Sequence, residues 1–334
     1  MFTNTLNDYY TLIHESFNSD ITTKKYIIVC GSLLSQSILS YSYDGRSWKP
    51  SSNGNTALTE CHIVIYSNGQ WMAGGIHNLN KNNIAYSKDG INWIPIPIQK
   101  NIFNNYCNAI EYNDIWVIGG ENTNSNNNTI AYSNDGLEWF PAENTIFNQV
   151  CYSIKYSNKL WVAGGSGINK IAYSHNGKLW YPSTSGNILF KGSCSVIKSN
   201  NNIWLAGGTA DENDLYGMIA YSTDGINWTS SPSGNNIITK KCLTFAYNEN
   251  IWLAGGIGNN TIAYSIDNGI SWLPSKNGHA LLTSCTSIIW NGELWIACGS
   301  GLEGIAYSLD GYTWYKSTNY LTSNGQSLSI NYLI

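Results

Sequence analysis

The chain has 334 residues and a net charge of −4, with 43% apolar and only 11% charged residues. That content supplies a large core and excludes a disordered or highly charged protein. The lack of any Lys/Arg cluster argues against nucleic acid as ligand, because neutralising phosphates takes concentrated cationic charge. No apolar run approaches the roughly 20 residues of a membrane-spanning helix, so no membrane insertion is expected.

Residues 1–25 stand apart from the rest. The opening MFTNTLNDYYTLIHESF has neither a basic region nor an apolar stretch of the signal-peptide kind, which gives a cytosolic or intravirion location as the expectation. Leu6, Tyr9, Tyr10, Ile13 and Phe17 recur at helical spacing behind Asn7 or Asp8, and predict a short helix that docks on the following domain or serves as a partner-binding arm. Arg46 is the only arginine and Asn is unusually frequent, a bias of AT-rich genomes such as those of large DNA viruses and protists.

From residue 26 onward one unit recurs. Each copy starts a strand at a cysteine, as in CNAIEYN (107–113) or CYSIKYS (151–157). A short turn leads to IWVIGG (115–120) or an equivalent such as WMAGG, WVAGG, WLAGG or WIACG. A loop of variable length follows, then an IAYS strand, an Asp-Gly turn and a last short strand opened by tryptophan. Those tryptophans are Trp48, Trp93, Trp139, Trp180, Trp228, Trp272 and Trp314, spaced 41 to 48 residues apart. Four short antiparallel strands per copy expose two apolar faces and must stack on their neighbours. The expected fold is therefore all-β: a seven-bladed β-propeller of four-stranded antiparallel blades, one domain over residues 26–334. The first copy begins at YIIVCGS (26–32) without its cysteine-led strand, and SLSINYLI (327–334) matches that strand with Ser327 in the cysteine place. The C-terminal strand is expected to complete the first blade and close the ring.

Two family resemblances follow from these motifs. The double glycine, tyrosine and tryptophan of Gly119, Gly120, Tyr132 and Trp139 resemble a kelch repeat, and SIDNGISW (265–272) is similar to the Asp-box of sialidase-like (BNR) propellers. The other six turns are one residue shorter and only Asp-box-like. The resemblance covers residues 26–334 and implies architecture more than activity. Sialidases of the Asp-box family grip a substrate carboxylate with three arginines, and a planar bidentate fork is not replaced by lysine. One arginine excludes that activity.

The repeated acids Asp44, Asp89, Asp135, Asp224, Asp267 and Asp310, with Asn176 in the fourth copy, read as turn acceptors. Asn fills the same role and cannot act as a general acid or base. Cys61, Cys107, Cys151, Cys194, Cys242 and Cys285 occupy one equivalent position and read as small buried apolar residues. Cys30 and Cys298 replace the first glycine of the pair in the first and last copies, and a bridge between them is disfavoured in a reducing compartment. No zinc-type Cys/His spacing occurs, no cofactor is expected and no residue is assigned as catalytic. Of the histidines, His62 is the one placed to reach a central channel.

Variable loops on a rigid scaffold are where binding resides. They lie on the side opposite the Asp-type turns, and their candidate contacts are Glu60, Tyr106, Asp211, Glu212, Asp214, Tyr216 and His279. Phe103, Phe147 and Phe190 either join them or pack the loops onto the ring. The first functional expectation is a non-enzymatic scaffold for a protein partner, including a structural or virion component. A carbohydrate-binding propeller is the alternative. A third reading is a hydrolase or lactonase with a channel metal held by carboxylates such as Glu60 or Glu111, which needs several convergent oxygen ligands.

Overall fold

The computed structural model describes residues 38–316 except 43–47, 77–82, 98–101, 124–127, 212–215, 291, 293 and 302–304, together with strands at 14–15, 27–30 and 332–333. The described residues form six four-stranded antiparallel sheets, a three-stranded sheet and a two-stranded ladder. The three-stranded sheet comes first in sequence (Ile27–Cys30, Leu39–Ser42, Trp48–Pro50). The second to seventh sheets each run in sequence order, from an inner strand such as Cys107–Asn113 to a short outer strand such as Phe140–Pro141. Each inner strand packs against the inner strand of the next sheet, from Glu60–Ser67 through Ser284–Trp290.

The first sheet has three described strands. Residues 327–331, which carry most of the strand expected to complete it, lie outside the described residues. In the part that is described, Tyr332–Leu333 pairs in parallel with His14–Glu15, so ring closure through the C-terminal strand is not seen. His14–Glu15 is extended where the helical spacing of Leu6 to Phe17 predicted a helix, because its backbone hydrogen bonds go to another strand. The five spaced apolar residues themselves lie outside the described residues.

The core lies between sheets. Ile65 and Met72 of the second sheet cluster with Cys107, Trp116 and Trp139 of the third, and the pattern repeats from sheet to sheet. The double glycine has a separate reason for each member. A Cβ on Gly74, Gly119, Gly164, Gly207 or Gly255 would lie 2.5–2.8 Å from the Sγ of Cys107, Cys151, Cys194, Cys242 or Cys285, in each case the cysteine of the next sheet. A Cβ on the second glycine, at Gly75, Gly165, Gly208 or Gly299, would overlap the carbonyl oxygen of Glu60, Val150, Ser193 or Ser284 in its own sheet. The first glycine admits the neighbour, and the second admits the sheet's own inner strand.

The Asp-type turns share one geometry. Asp135 Oδ1 accepts the backbone N–H groups of Leu137 (2.8 Å) and Glu138 (2.9 Å) and the Ser133 hydroxyl (3.0 Å). The Ser133 hydroxyl in turn accepts Gly136 N–H at 2.8 Å. Asn176 Oδ1 does the same for Lys178 and Leu179, both at 2.9 Å. Asp89, Asp224, Asp267 and Asp310 repeat it, while Asp44 lies outside the described residues. The turn glycine has φ +78° at Gly136, and its missing Cβ makes room for Gln70 and Met72 of the preceding sheet. The turn is thus an inter-sheet joint. A second joint comes from the linkers: Asn53, Asn144, Ser185 and Ser233 accept the backbone N–H of Trp93, Trp180, Trp228 and Trp272 in the following sheet at 2.7–3.0 Å.

The hydrogen bonds hold these carboxyls below their ordinary range. At Asp135 the bonds from Glu138 and Leu137 are the main cause. At Asp89 partial burial opposes the shift, and the bonds from Asn92, Ile91 and Ser87 still bring it to about 2. A carboxyl depressed on folding contributes stability in full above its unfolded value of about 4 and loses it as pH falls through the folded value. Asp135→Asn is therefore expected to be near neutral at pH 7, as Asn176 indicates, and to remove this turn's share of the loss as pH falls below about 4. Asp135→Ala should cost about 1 kcal/mol. Urea melts of the three proteins at neutral and acid pH check both statements, and an Asn variant as damaged as the Ala variant would contradict them.

Candidate functional site: the channel and its mouth

Each inner strand of the second to seventh sheets carries a register shift next to its cysteine. The pairing jumps from Cys61 to Ile63, Cys151 to Ser153, Cys194 to Val196, Cys242 to Thr244 and Cys285 to Ser287. In the third sheet the shift falls between Gly119 and Gly120, opposite Cys107–Ala109. One residue is left over in each: His62, Asn108, Tyr152, Ser195, Leu243 and Thr286. A bulge re-aims the extra side chain, and all six line one cavity of about 570 Å3 at the loop-rich end of the channel. The cysteine beside each bulge is buried, and its thiol donates to the carbonyl two residues on, as from Cys61 to Ile63 at 3.4 Å. Burial pushes the thiols of Cys107, Cys151, Cys194, Cys242 and Cys285 up, and that of Cys298 to about 12. The seven described cysteines are free, so Cys298 makes no bridge to Cys30.

His62 anchors a cluster at the mouth. Its ring stacks on Tyr106 with centroids 4.6 Å apart, Nδ1 lies 2.8 Å from Asn108 Oδ1, and Nε2 is 3.7 Å from Glu60 Oε2. The Tyr106 hydroxyl is pushed above its ordinary value by partial burial first, then by the negative charges of Glu60 and Glu121. Glu60 and Tyr106, candidates from the sequence, are thus brought together with His62.

The other candidates are not gathered there. Asp211 accepts the Tyr216 N–H at 2.9 Å, which folds the loop of the fifth sheet back on itself and leaves Tyr216 66% exposed. Glu212 and Asp214 lie outside the described residues. His279 is exposed on the four-residue helix Gly278–Leu281. Phe103, Phe147 and Phe190 are at most 2% exposed, and Phe103 and Phe147 lie against Gly120 and Gly165. They pack loops onto the sheets.

Below the mouth the channel continues into a cavity of about 210 Å3, which shares Asn108, Tyr152, Ser195, Leu243 and Thr286 with it. Four residues after the cysteine, three neighbouring sheets place Glu111, Lys155 and Lys198 in this lumen. Lys155 Nζ is 2.7 Å from Glu111 Oε1. Glu60 and Glu111, the carboxylates considered for a metal, therefore sit at different levels with different partners. Among the described residues no group of three or more His, Cys, Asp and Glu could hold a metal ion. No helix among them is long and apolar enough to cross a membrane.

Sequentially packed four-stranded sheets around a channel define a β-propeller. No family model matches the sequence, and no curated protein does. Among solved structures the chain is similar to a computationally designed protein, Ika8, with a TM-score of 0.63 and 9% identity over 97% of this chain and 92% of that one. It is also similar to the GH74 enzyme of Niastella koreensis, with a TM-score of 0.63 and 14% identity over 93% of this chain and 55% of the enzyme. A third likeness is to YCF48 of Cyanidioschyzon merolae, at 0.59 and 15% over 92% and 97% of the two chains. The chain spans about half the length of the GH74 enzyme. These likenesses concern the fold.

Proposed function

We propose that this propeller is a non-enzymatic binding scaffold whose loop-side channel mouth receives a protein partner. One observation carries the reading. Six equivalent bulges deliver six different side chains (His62, Asn108, Tyr152, Ser195, Leu243 and Thr286) to one cavity, while the cysteine beside each bulge is constant. The fold tolerates any residue there, so the variety is free to serve recognition. Tyr and Asn at the rim supply an amphipathic ring and an amide, suited to polypeptide backbone and polar side chains. Glu60, Tyr106, Asp211, Tyr216 and His279 extend the proposed surface outward, and Glu212 and Asp214 belong to it on the sequence reading alone.

The finer architecture belongs to the same proposal: seven Asp-box-like blades, with the C-terminal strand, residues 327–334, as the missing inner strand of the first. The spacing rule supports it. Every first glycine faces a cysteine of the next sheet, and where Cys298 replaces that glycine the residue due opposite is the smaller Ser327. Leu328 then stands in the seventh bulge position.

The double variant Asn108→Ala/Tyr152→Ala tests the reading. Captured from its native source, it is expected to lose at least about tenfold of a partner that the wild type and Asp135→Asn retain. Equal recovery by all three proteins counts against the mouth. Selective binding on a glycan array that the double variant loses would transfer the site to a carbohydrate ligand.

A further inference from the structure

The first hairpin of the second sheet turns on an Asn-Gly pair that its surroundings do not hold. Ser67 pairs with Gln70, so Asn68 and Gly69 alone make the turn. Their φ values of +49° and +70° are those of a type I′ turn. Both residues are exposed, and a Cβ added at Gly69 would meet no atom within 4 Å. Among the described residues neither the Asn68 carboxamide nor the peptide group joining Asn68 to Gly69 takes part in a hydrogen bond. In the equivalent turn of the fourth sheet, Asn158 donates to the Asn201 carbonyl of the next sheet at 2.6 Å.

Asn-Gly occurs seven times in the chain, and five of the pairs lie wholly within the described residues. The other four of these five are tied at the groups that would have to move. Asn53 and Asn277 precede short helices, and their carbonyls accept the N–H groups of Thr56 and Ala57, and of Ala280 and Leu281. Asn176 Oδ1 accepts the N–H groups of Lys178 and Leu179, while Gly177 N–H donates to Ser174 Oγ at 2.9 Å. Asn268 Oδ1 accepts Trp252 Nε1–H and Asn200 Nδ2–H, while Gly269 N–H donates to Ser265 Oγ at 2.8 Å.

We propose that Asn68–Gly69 is a site of spontaneous covalent modification, where Asn68 closes to a succinimide that water opens to aspartate or isoaspartate. The Gly69 nitrogen bonds to the Asn68 side-chain carbonyl carbon. The bond from that carbon to the amide nitrogen breaks, and ammonia leaves with the Gly69 proton. Water then adds at either ring carbonyl, and no atom is oxidised or reduced. The five-membered ring needs the Gly69 nitrogen beside the Asn68 Cβ, which is the arrangement of the first central residue of a type II′ turn, with φ about +60° and ψ about −120°. A flip of the one unbonded peptide group converts type I′ into type II′. Asn68 keeps its positive φ, and Ser67 stays paired with Gln70. Gly69 takes up the change in its own φ at little cost, since it has no Cβ. At the other four pairs the same flip breaks the hydrogen bonds just named. Aspartate adds one negative charge to the turn, whereas isoaspartate lengthens its backbone by one carbon and disturbs the pairing of Gln70. Gln70 is buried beside the Gly136 turn of the third sheet, so the isoaspartate form loses support at that joint. The site does not depend on the partner proposal above.

The experiment is peptide mapping of the full chain by mass spectrometry after incubation in mildly alkaline buffer, once folded and once in urea. In the folded protein Asn68 is expected to convert at least about tenfold faster than Asn53, Asn176, Asn268 and Asn277, each of which must first break hydrogen bonds. In urea the five rates should converge. Labelling with protein isoaspartyl methyltransferase separates isoaspartate from aspartate in the Asn68 peptide. Ser174→Ala releases Gly177 N–H and should speed the reaction of Asn176 at least about threefold, with Asn68 unchanged. Circular dichroism confirms that this variant is folded. An Asn68 that stays intact in the folded protein while the chain in urea reacts, or five equal rates in the folded protein, overturns the proposal.

Discussion

Deleting residues 327–334 is expected to lower the stability of the whole protein by about 5 kcal/mol or more if they close the first sheet as proposed, since each large apolar residue that such a strand would bury is worth about 1.5–3 kcal/mol. The effect should be global. On the closure proposal, the truncated first sheet keeps three strands, and its inner edge would offer unpaired N–H and C=O groups to solvent or to another chain. Far-UV circular dichroism melts and size-exclusion chromatography of the truncated chain read both consequences. A truncated protein that melts with the full chain, and stays monodisperse with it, would sink the closure proposal.

The second large effect concerns the double glycine. Gly207→Ala puts a methyl group 2.6 Å from Cys242 Sγ and 2.9 Å from Val196 Cγ1. Side chains give way in part, so the cost should be about 1–3 kcal/mol. Shrinking the neighbour in the same molecule, with Cys242→Ala, should recover about half of it, a coupling that a double-mutant cycle measures. Gly208→Ala is expected to be worse, at about 3 kcal/mol or more. Its methyl group would run into the Ser193 carbonyl and the Cys194 Cα of its own sheet, which cannot move without breaking the ladder. Cys242→Ala should give no relief there. Rescue of Gly208→Ala by Cys242→Ala, or none for Gly207→Ala, would reverse the two roles.

What was legible in the sequence was whatever the repeat holds constant. The Asp-type turn could be read because Asn176 stands where the other turns have aspartate, and only an acceptor role suits both residues. The buried cysteines were legible from their equivalence. The mouth was not, and the reason lies in strand periodicity. Strict alternation puts the residue after each cysteine on the opposite face without saying that it is left over from the ladder. The bulge arises because two glycines opposite let the strand start press inward, a contact between segments some dozen residues apart. The available signal was the contrast between a constant cysteine and a following residue that differs in every copy. Aligning the copies one step further would also have set Glu111, Lys155 and Lys198 side by side. The three phenylalanines offered no such contrast, and an apolar residue in a loop reads alike whether it covers the fold or a partner.

The linker contacts give the succession of sheets a direction. Asn53 serves Trp93 and Asn144 serves Trp180, each from the sheet made earlier to the one made later. During synthesis on the ribosome, the fourth, fifth and sixth sheets would therefore each meet a finished predecessor that already presents both the acceptor for the tryptophan N–H and the floor for the turn glycine. Assembly can proceed in the order of translation, each sheet templating the next. Loss of an early sheet deprives its successor of support, whereas among the described residues loss of the last strips no earlier tryptophan of its acceptor.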